Sequence, residues 1–212
     1  MRTFTSVIGL LCSCAIFSAT SAVHASPSEE SAKPAISQAN VENDALRQAE
    51  KDGAKLFEAY QRGAEPPEDV ATVARASVHD FCPFTYRIFW VDNDAIASVY
   101  LIAETKDAEF VWGRHYRIDI DKAGKEVKAL TPSTVSCAAM AEPPPGAAPP
   151  GSKLAGTGIT HLLSKTPTEF HVLISKKTGR PVFVGTSVGI WKVENGKITL
   201  MQRRNEQGAP AS

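Results

Sequence analysis

The amino-acid sequence predicts an α+β domain in which one or two N-terminal helices pack on an eight- to nine-stranded, mostly antiparallel, curled sheet. Two patterns lead to this prediction. Apolar residues recur at steps of three and four residues between positions 43 and 76, and at steps of two residues after position 85. The composition of the 212 residues, 43% hydrophobic and 22% charged, is typical of a globular protein.

Two helices are predicted before the strands begin. The first begins near Asn43 and ends before Gly63, because a glycine after the last periodic residue commonly ends a helix. Its apolar face contains Leu46, Ala49, Leu56, Phe57 and Tyr60. The second helix covers residues 68–76 and follows Pro67, which suits the first position of a helix.

Four strands are predicted next, over residues 86–91, 95–104, 111–121 and 126–130. The third strand alternates most regularly between polar and apolar residues. Its polar face, expected to contact water, consists of His115, Arg117, Asp119 and Asp121, and its apolar face consists of Tyr116, Ile118 and Ile120.

The last third of the chain predicts five further strands, over residues 158–163, 169–175, 181–186, 189–194 and 197–201. Asn195-Gly196 predicts a two-residue hairpin turn, and a second turn is expected at residues 177–180. Aromatic residues on the strands, Phe183 among them, are expected to pack in the core.

One domain over residues 43–204 is expected. The Pro-rich segment 142–152 has few amide donors and is expected to form a surface loop of that domain. The alternative is a domain boundary at this segment. We favour the loop because the remaining residues, about 60, would make a marginal domain of their own.

The N-terminal residues 1–25 resemble a secretory signal peptide. Arg2 is followed by a short apolar stretch and then by small residues up to Ala25, near which we expect cleavage. Residues 26–42 are expected to be a disordered spacer, and residues 205–212 a disordered tail. The alternative is a lipid anchor on Cys14, but the apolar run continues after this cysteine, where a lipoprotein turns polar. We therefore expect no lipid anchor, and a periplasmic or secreted protein.

Cleavage near Ala25 would leave Cys82 and Cys137 as the cysteines of the exported chain. Disulfides form in oxidising compartments, so we expect these two residues to pair. The alternative is a reactive or metal-binding thiol. Neither cysteine lies in a CxxC motif or beside a histidine, which favours the disulfide.

Charge and hydropathy exclude several classes of function. Lys and Arg together number 23, and Asp and Glu together also number 23, so the chain lacks the basic excess typical of nucleic-acid binding. No transmembrane span is expected, since the N-terminal apolar stretch is shorter than the roughly 20 residues that a span needs. No P-loop or GxGxxG motif occurs, and no cofactor is expected.

An enzymatic function has little support in the sequence. A serine nucleophile at Ser77 or Ser133, near His79 and Asp80, is the form that a hydrolase would take here. There is no GxSxG and no HExxH motif, and the strand-rich region offers no strand-to-helix turn for a nucleophile. We therefore assign no catalytic residue and keep an envelope hydrolase as an alternative.

His161, Glu169 and His171 are the candidate binding residues. The two histidines flank a predicted hairpin around residues 165–168, and an even register would place their imidazoles on one face, with Cβ atoms about 5 Å apart. Zinc or copper would be the expected metals. Because no further ligand is visible beyond Glu169, we expect no metal site and keep a metal-binding accessory protein as an alternative.

Several segments carry a resemblance to a group of uncharacterised secreted proteobacterial proteins. They are residues 160–172, 180–186 and 191–194, together with Cys82-Pro83 and Tyr116-Arg117. The resemblance covers about residues 80–200. It implies a bacterial envelope protein and implies no activity.

The function expected from the sequence is non-catalytic binding outside the cytoplasm. The expected partner is another protein or an envelope component, in a role such as that of an inhibitor or immunity protein. An exposed apolar patch or an open sheet edge would favour this function. Converging imidazoles would favour the metal-binding alternative, and a cleft with titratable groups and a nucleophile would favour the hydrolase.

Overall fold

A computed structural model describes residues 38–93, 96–106, 108, 110–140, 149, 151 and 154–204. These residues fall within one compact unit. The predicted signal peptide, the predicted tail 205–212, the spacer up to residue 37 and most of the predicted Pro-rich loop lie outside the described residues.

The described residues contain three helices: α1 (Gln38–Arg62), α2 (Glu68–Ala76) and α3 (Glu169–Thr178). Both helices predicted from the sequence are confirmed. However, α1 begins at Gln38 rather than near Asn43, so the end of the predicted disordered spacer is helical. It ends at Gly63, whose φ of 63° is left-handed and costs a glycine little. None of the three helices combines the length and apolarity that crossing a bilayer demands.

The third helix replaces a predicted strand over residues 169–175. Thr168 precedes its first turn in a capping box with His171, and Gly179 ends it with a φ of 64°. Lys176 and Lys177 lie in the last turn, where cations favour the helix dipole. These end signals determine a helix even though the sequence between them alternates as a strand would.

The strands form three sheets rather than the single curled sheet that the sequence predicts. The first sheet is antiparallel, in the order β1 (Thr85–Asp92), β2 (Ala97–Glu104), β4 (Tyr116–Ile120) and β5 (Val127–Pro132). A small pair joins β3 (Phe110–Val111) to β6 (Ala139–Met140). The predicted strand over 111–121 is therefore interrupted, at Gly113 and at Arg114, whose φ is 52°.

The second sheet contains the last four strands, in the order β10 (Lys197–Arg203), β9 (Gly189–Glu194), β8 (Val182–Gly185) and β7 (Thr157–Thr160). The β7–β8 pair is parallel, because α3 carries the chain back to the start of the sheet between these two strands. The other pairs are antiparallel, so the prediction of an α+β protein with mostly antiparallel strands is confirmed. The predicted Asn195-Gly196 turn joins β9 to β10, with a φ of 52° at Asn195 and 81° at Gly196.

The helices and sheets pack in layers. One face of the first sheet packs on α2 through residues such as Val99, Ile118 and Ala74. Its other face meets α1 and α3 in a cluster that contains Leu56 and Phe170. The far side of α3 packs on the second sheet in a third cluster, which contains Val172, Val184 and Trp191. The helical layer of α1 and α3 is thus enclosed between the two sheets.

A glycine permits the close contact between α1 and α3. A Cβ atom added at Gly53 would lie 2.4 Å from Val172 Cβ and 3.1 Å from the carbonyl oxygen of Glu169. Real Cβ atoms do not approach so closely, and Val172 is fully buried. The missing side chain at Gly53 therefore sets the distance between the two helices.

Gly53→Ala is expected to destabilise the protein by about 1–3 kcal/mol, because the new methyl group overpacks the helix contact. In an exposed helix the same change would stabilise by about 1 kcal/mol, since alanine favours helix more than glycine does. Urea unfolding measures the sign. In a double-mutant cycle, Val172→Ala should relieve part of the cost. A stabilising effect of Gly53→Ala alone would contradict the described packing.

The predicted disulfide between Cys82 and Cys137 is confirmed. The two Cα atoms lie 5.7 Å apart and the residues are 55 positions apart in sequence. The bond joins the segment before β1 to the segment before β6. Beside it, Gly113 packs so closely that an added Cβ would lie 2.3 Å from the carbonyl oxygen of Ser136.

Cys82→Ser is expected to lower the melting temperature, because a cross-link over a loop of this length stabilises the fold by about 4 kcal/mol in the chain-entropy model. Calorimetry in the presence and absence of dithiothreitol checks the cause. Reductant should lower the melting temperature of the wild type and leave the variant unchanged. Equal sensitivity of both proteins to reductant would contradict a role for this bond in stability.

Candidate functional site

The two candidate imidazoles lie together, although not across the predicted hairpin. His161 directly follows β7 and His171 lies in the first turn of α3. Their rings meet edge to face with centroids 4.9 Å apart, and both residues are buried. Glu169 points elsewhere, since its Oε1 lies 3.4 Å from Nη1 of Arg117.

Hydrogen bonds determine which nitrogen of each ring carries the proton. The backbone N–H of Thr168 donates to His171 Nδ1 over 3.0 Å, so the proton of that ring is on Nε2. Ser164 Oγ donates to the carbonyl of Thr166 and lies 3.0 Å from His161 Nε2. Ser164 Oγ therefore accepts a hydrogen bond from the Nε2–H group of His161, and His161 Nδ1 is left as a buried acceptor without a hydrogen-bond partner.

These tautomers limit what the imidazole pair can bind. The lone pair of His171 is engaged by the start of α3, so the pair offers one free lone pair, on His161 Nδ1. In the described ranges no group of three or more His, Cys, Asp or Glu side chains is arranged to hold a metal ion. A zinc site usually has three or four protein ligands.

Burial keeps the imidazoles neutral. It lowers the pKa of His171 to about 3, with the neighbouring His161 as a second cause. It also lowers the pKa of His115 to about 4 and lowers that of His161. His115, expected on the wet face of a strand, is buried: its Nδ1 accepts from the N–H of Ala103 over 3.0 Å, and its Nε2 lies 2.8 Å from the carbonyl oxygen of Val111.

Arg117 and Asp119, which follow His115 on the face predicted to contact water, are partly covered by the helices. Arg117 lies between three carboxylates, 2.8 Å from Asp52 of α1, 2.8 Å from Asp119 and 3.4 Å from Glu169 of α3. Burial raises the pKa of Glu169, an effect that the charge of Arg117 opposes. The charges join the first sheet to both central helices. A signal for this network exists in the sequence, because Asp52 lies on the same helical face as the buried residues Ala49 and Leu56.

The serines weighed as nucleophiles bond elsewhere. Ser77 Oγ donates to the carbonyl of Ala74 over 2.8 Å. Ser133 Oγ accepts from the backbone N–H of His115 over 3.0 Å and not from its ring. A hydrolase needs a base within hydrogen-bond reach of its nucleophile, and neither serine has one in these contacts.

The outer face of the second sheet is exposed and partly apolar. Val184 and Trp191 point inward toward α3, so the alternate residues Phe183 and Ile190 point outward, where they are 37% and 41% exposed. Phe183 was expected in the core, and this expectation is wrong. The period-two alternation around Val182 and Val184 is the signal that would have placed it outside.

The strand β7 is an open edge of this sheet. The backbone N–H of Thr157 donates to the carbonyl of Pro181, directly before β8, over 3.1 Å, and that of His161 donates to the carbonyl of Gly185 in β8 over 2.8 Å. Because peptide groups alternate in direction along a strand, those of Gly158 and Thr160 point away from β8. Within the part of the chain that the structure describes, no strand pairs with this side of β7.

The two edge strands of the second sheet differ in the features that discourage pairing with another strand. The edge strand β10 carries Lys197 and Arg203 and has a bulge between Leu200 and Gln202, and charges and bulges discourage pairing with another strand. The edge strand β7 has no charged residue and no bulge. Exposed leucines flank it: Leu154, Leu162 and Leu163.

Comparisons with family models, with curated proteins and with solved structures find no match to this chain. The resemblance to secreted proteobacterial proteins therefore stays a prediction.

The protein is expected to lose stability as the pH falls below about 6.5. The unfolded chain takes up protons on its histidines near that pH, whereas the buried His171 stays neutral down to about pH 3. The stability that comes from this difference in pKa between the folded and the unfolded chain is fully present above pH 6.5. Below that pH the free energy of unfolding falls by about 1.4 kcal/mol per pH unit for each such imidazole.

His171→Asn tests this effect, because the asparagine oxygen retains an acceptor for the N–H of Thr168. The free energy of unfolding is measured with urea at several pH values between 7 and 4.5. Its slope against pH, which reports the number of protons taken up on unfolding, should correspond to about one proton fewer in the variant than in the wild type. The matched control His79→Asn replaces an exposed imidazole and should leave the slope unchanged. An identical slope in the wild type and His171→Asn would contradict the assignment.

Proposed function

We propose that the protein is an exported, non-catalytic binding module that holds an extended segment of a partner protein along the free edge of β7. The observation that carries the proposal is that β7 is an edge strand without a charged residue or a bulge. Gly158 and Thr160 direct their peptide groups outward, and no charge or bulge protects them. Addition of a strand to such an edge is a common mode of peptide recognition.

The surroundings of the edge support a partner with alternating apolar side chains. Leu162 is 75% exposed and Leu163 is 44% exposed at the end of β7, and Phe183 lies on the neighbouring strand. Side chains of an added strand would alternate between the two faces of the sheet, so every second one would meet this apolar outer face. Main-chain hydrogen bonds would supply affinity, and the leucines and Phe183 would supply specificity.

The disulfide supports the proposed location outside the cytoplasm. A bond between Cys82 and Cys137 persists in an oxidising environment, which fits the periplasm or the extracellular space. The N-terminal signal peptide expected from the sequence is consistent with the same location.

The hydrolase and metal-binding alternatives have weaker support. Ser77 and Ser133 have no base among their hydrogen-bond partners, and Ser164, which lies beside His161, donates its proton to a backbone carbonyl. The imidazoles of His161 and His171 converge, but no group of three metal ligands is formed by the described residues.

A photo-crosslinking amino acid at position 162 of the full chain, expressed in the organism that makes the protein, tests the proposal. We expect a discrete adduct with another protein. Gly158→Pro should abolish this adduct, because proline removes an N–H that faces the open edge and leaves the bonds to β8 intact. Leu163→Lys should weaken capture about tenfold, since it removes the burial of one leucine.

Two controls make the crosslinking experiment decisive. The crosslinker at Val135, which is 56% exposed but distant in sequence from β7, should give no such adduct. The melting temperature of Gly158→Pro should stay close to that of the wild type. An adduct that persists in a folded Gly158→Pro variant, or capture of lipid or glycan instead of protein at position 162, would overturn the proposal.

A further inference from the structure

A polar cleft of about 250 Å³ lies between α1 and the first sheet, beside the end of β1 and the start of β2. Its lining consists of Gln48, Lys51, Lys55, Asn93, Ile96, Ser98, Arg117 and Asp119. It does not include the edge of β7, so an inference about it is independent of the proposed function.

Two lysines stand at the rim of the cleft, one helical turn apart on α1. Lys55 Nζ donates to the amide oxygen of Asn93 over 2.7 Å, which holds the ammonium group in place without neutralising it. Neither Lys51 nor Lys55 forms an ion pair with a carboxylate of the described residues. Both positive charges are therefore available to a ligand.

Arg117 contributes a third cation from the floor of the cleft. Its Nε donates to Asp119 and its Nη1 to Asp52, both over 2.8 Å, and Glu169 Oε1 lies 3.4 Å from Nη1, so the guanidinium is held by three carboxylates. Its Nη2 makes no hydrogen bond to any residue that the structure describes. A guanidinium with one nitrogen free at the wall of a cleft is a donor for carboxylate or phosphate oxygens.

The negative charges nearby are engaged or lie behind the floor. Asp119 Oδ1 accepts from Ser98 Oγ over 2.7 Å and from Arg117. Asp52 is almost fully buried beneath the guanidinium, where Gln48 donates to its other oxygen over 2.7 Å. Among the described residues, the charged side chains that line the cleft are thus Lys51, Lys55, Arg117 and Asp119, and the carboxylates of Asp52 and Glu169 contact Arg117 from outside the lining.

We propose that this cleft binds a small oxyanion, the carboxylate or phosphate group of a molecule no larger than an amino acid or a sugar phosphate. Lys51, Lys55 and Arg117 Nη2 would hold the anion. The amide nitrogen of Asn93 lies beside them; it donates one proton to the buried Ser98 Oγ over 3.3 Å and would donate the second to a further polar group of the ligand. The volume of the cleft is below the roughly 300–1,000 Å³ of sites for drug-sized ligands, which sets the upper limit on size.

Titration of the full chain with inorganic phosphate and, separately, with succinate tests this inference by calorimetry and amide NMR. We expect binding of at least one anion at millimolar concentration, with shifts of the amide signals of Asn93 and Ser98. Phosphate binding alone identifies a phosphate ligand, and succinate binding alone identifies a carboxylate ligand; either result supports the inference.

Charge-removing variants locate the site. Lys51→Gln and Lys55→Gln should each weaken binding about fivefold, as expected for the loss of one partly exposed charge interaction of about 1 kcal/mol. Lys192→Gln, on β9 of the second sheet, should leave the affinity unchanged. Failure of the wild type to bind either anion, or equal weakening by Lys192→Gln, would overturn the inference. Crosslinking at Leu162 would be unaffected by these results.

Discussion

The burial of α3 between the two sheets is the constraint on which the rest of the structure depends. A short helix enclosed on both sides has no water to satisfy its polar groups, so each must find a partner inside the protein. His171 accepts the N–H of Thr168, Glu169 pairs with Arg117, and Ser175 donates to the carbonyl of Arg180. The imidazole pair and the buried ion cluster resemble parts of a catalytic or metal site. Their role in the structure is to satisfy the polar groups that the burial of α3 removes from water.

The same burial explains what the sequence could and could not predict. Helix α2 and the β9–β10 hairpin follow from local signals, a period of 3.6 residues and an Asn-Gly turn. Helix α3 was missed because residues 169–175 are all buried and show no polar face. Phe170, Val172 and Ile174 even alternate as in a strand. Only the cap at Thr168 and the glycine at position 179 identify a helix.

The candidate site residues could also be predicted from the sequence only in part. The sequence allows the proximity of His161 and His171 only for one register of a predicted hairpin that does not form. The proximity arises instead because the first turn of α3 lies beside the end of β7. Arg117 and Asp119 alternate with buried residues and so predicted a wet face. Which surface covers that face depends on contacts with α1, more than 60 positions earlier, and no local pattern reports it. The open edge of β7 likewise depends on strand order, which alternation along one strand does not encode.

The position of α1 has a consequence for the order in which the protein can fold. Besides its packing on β1 and α3, two of its contacts reach the other end of the chain: Glu50 accepts the N–H of Ile198, 148 positions later, and Glu42 pairs with Arg203, 161 positions later. During synthesis α1 emerges long before β10. Contacts so distant in sequence slow folding, because the intervening loop must close before they form. The contacts between α1 and β10 therefore form late, only after the last strand has been made.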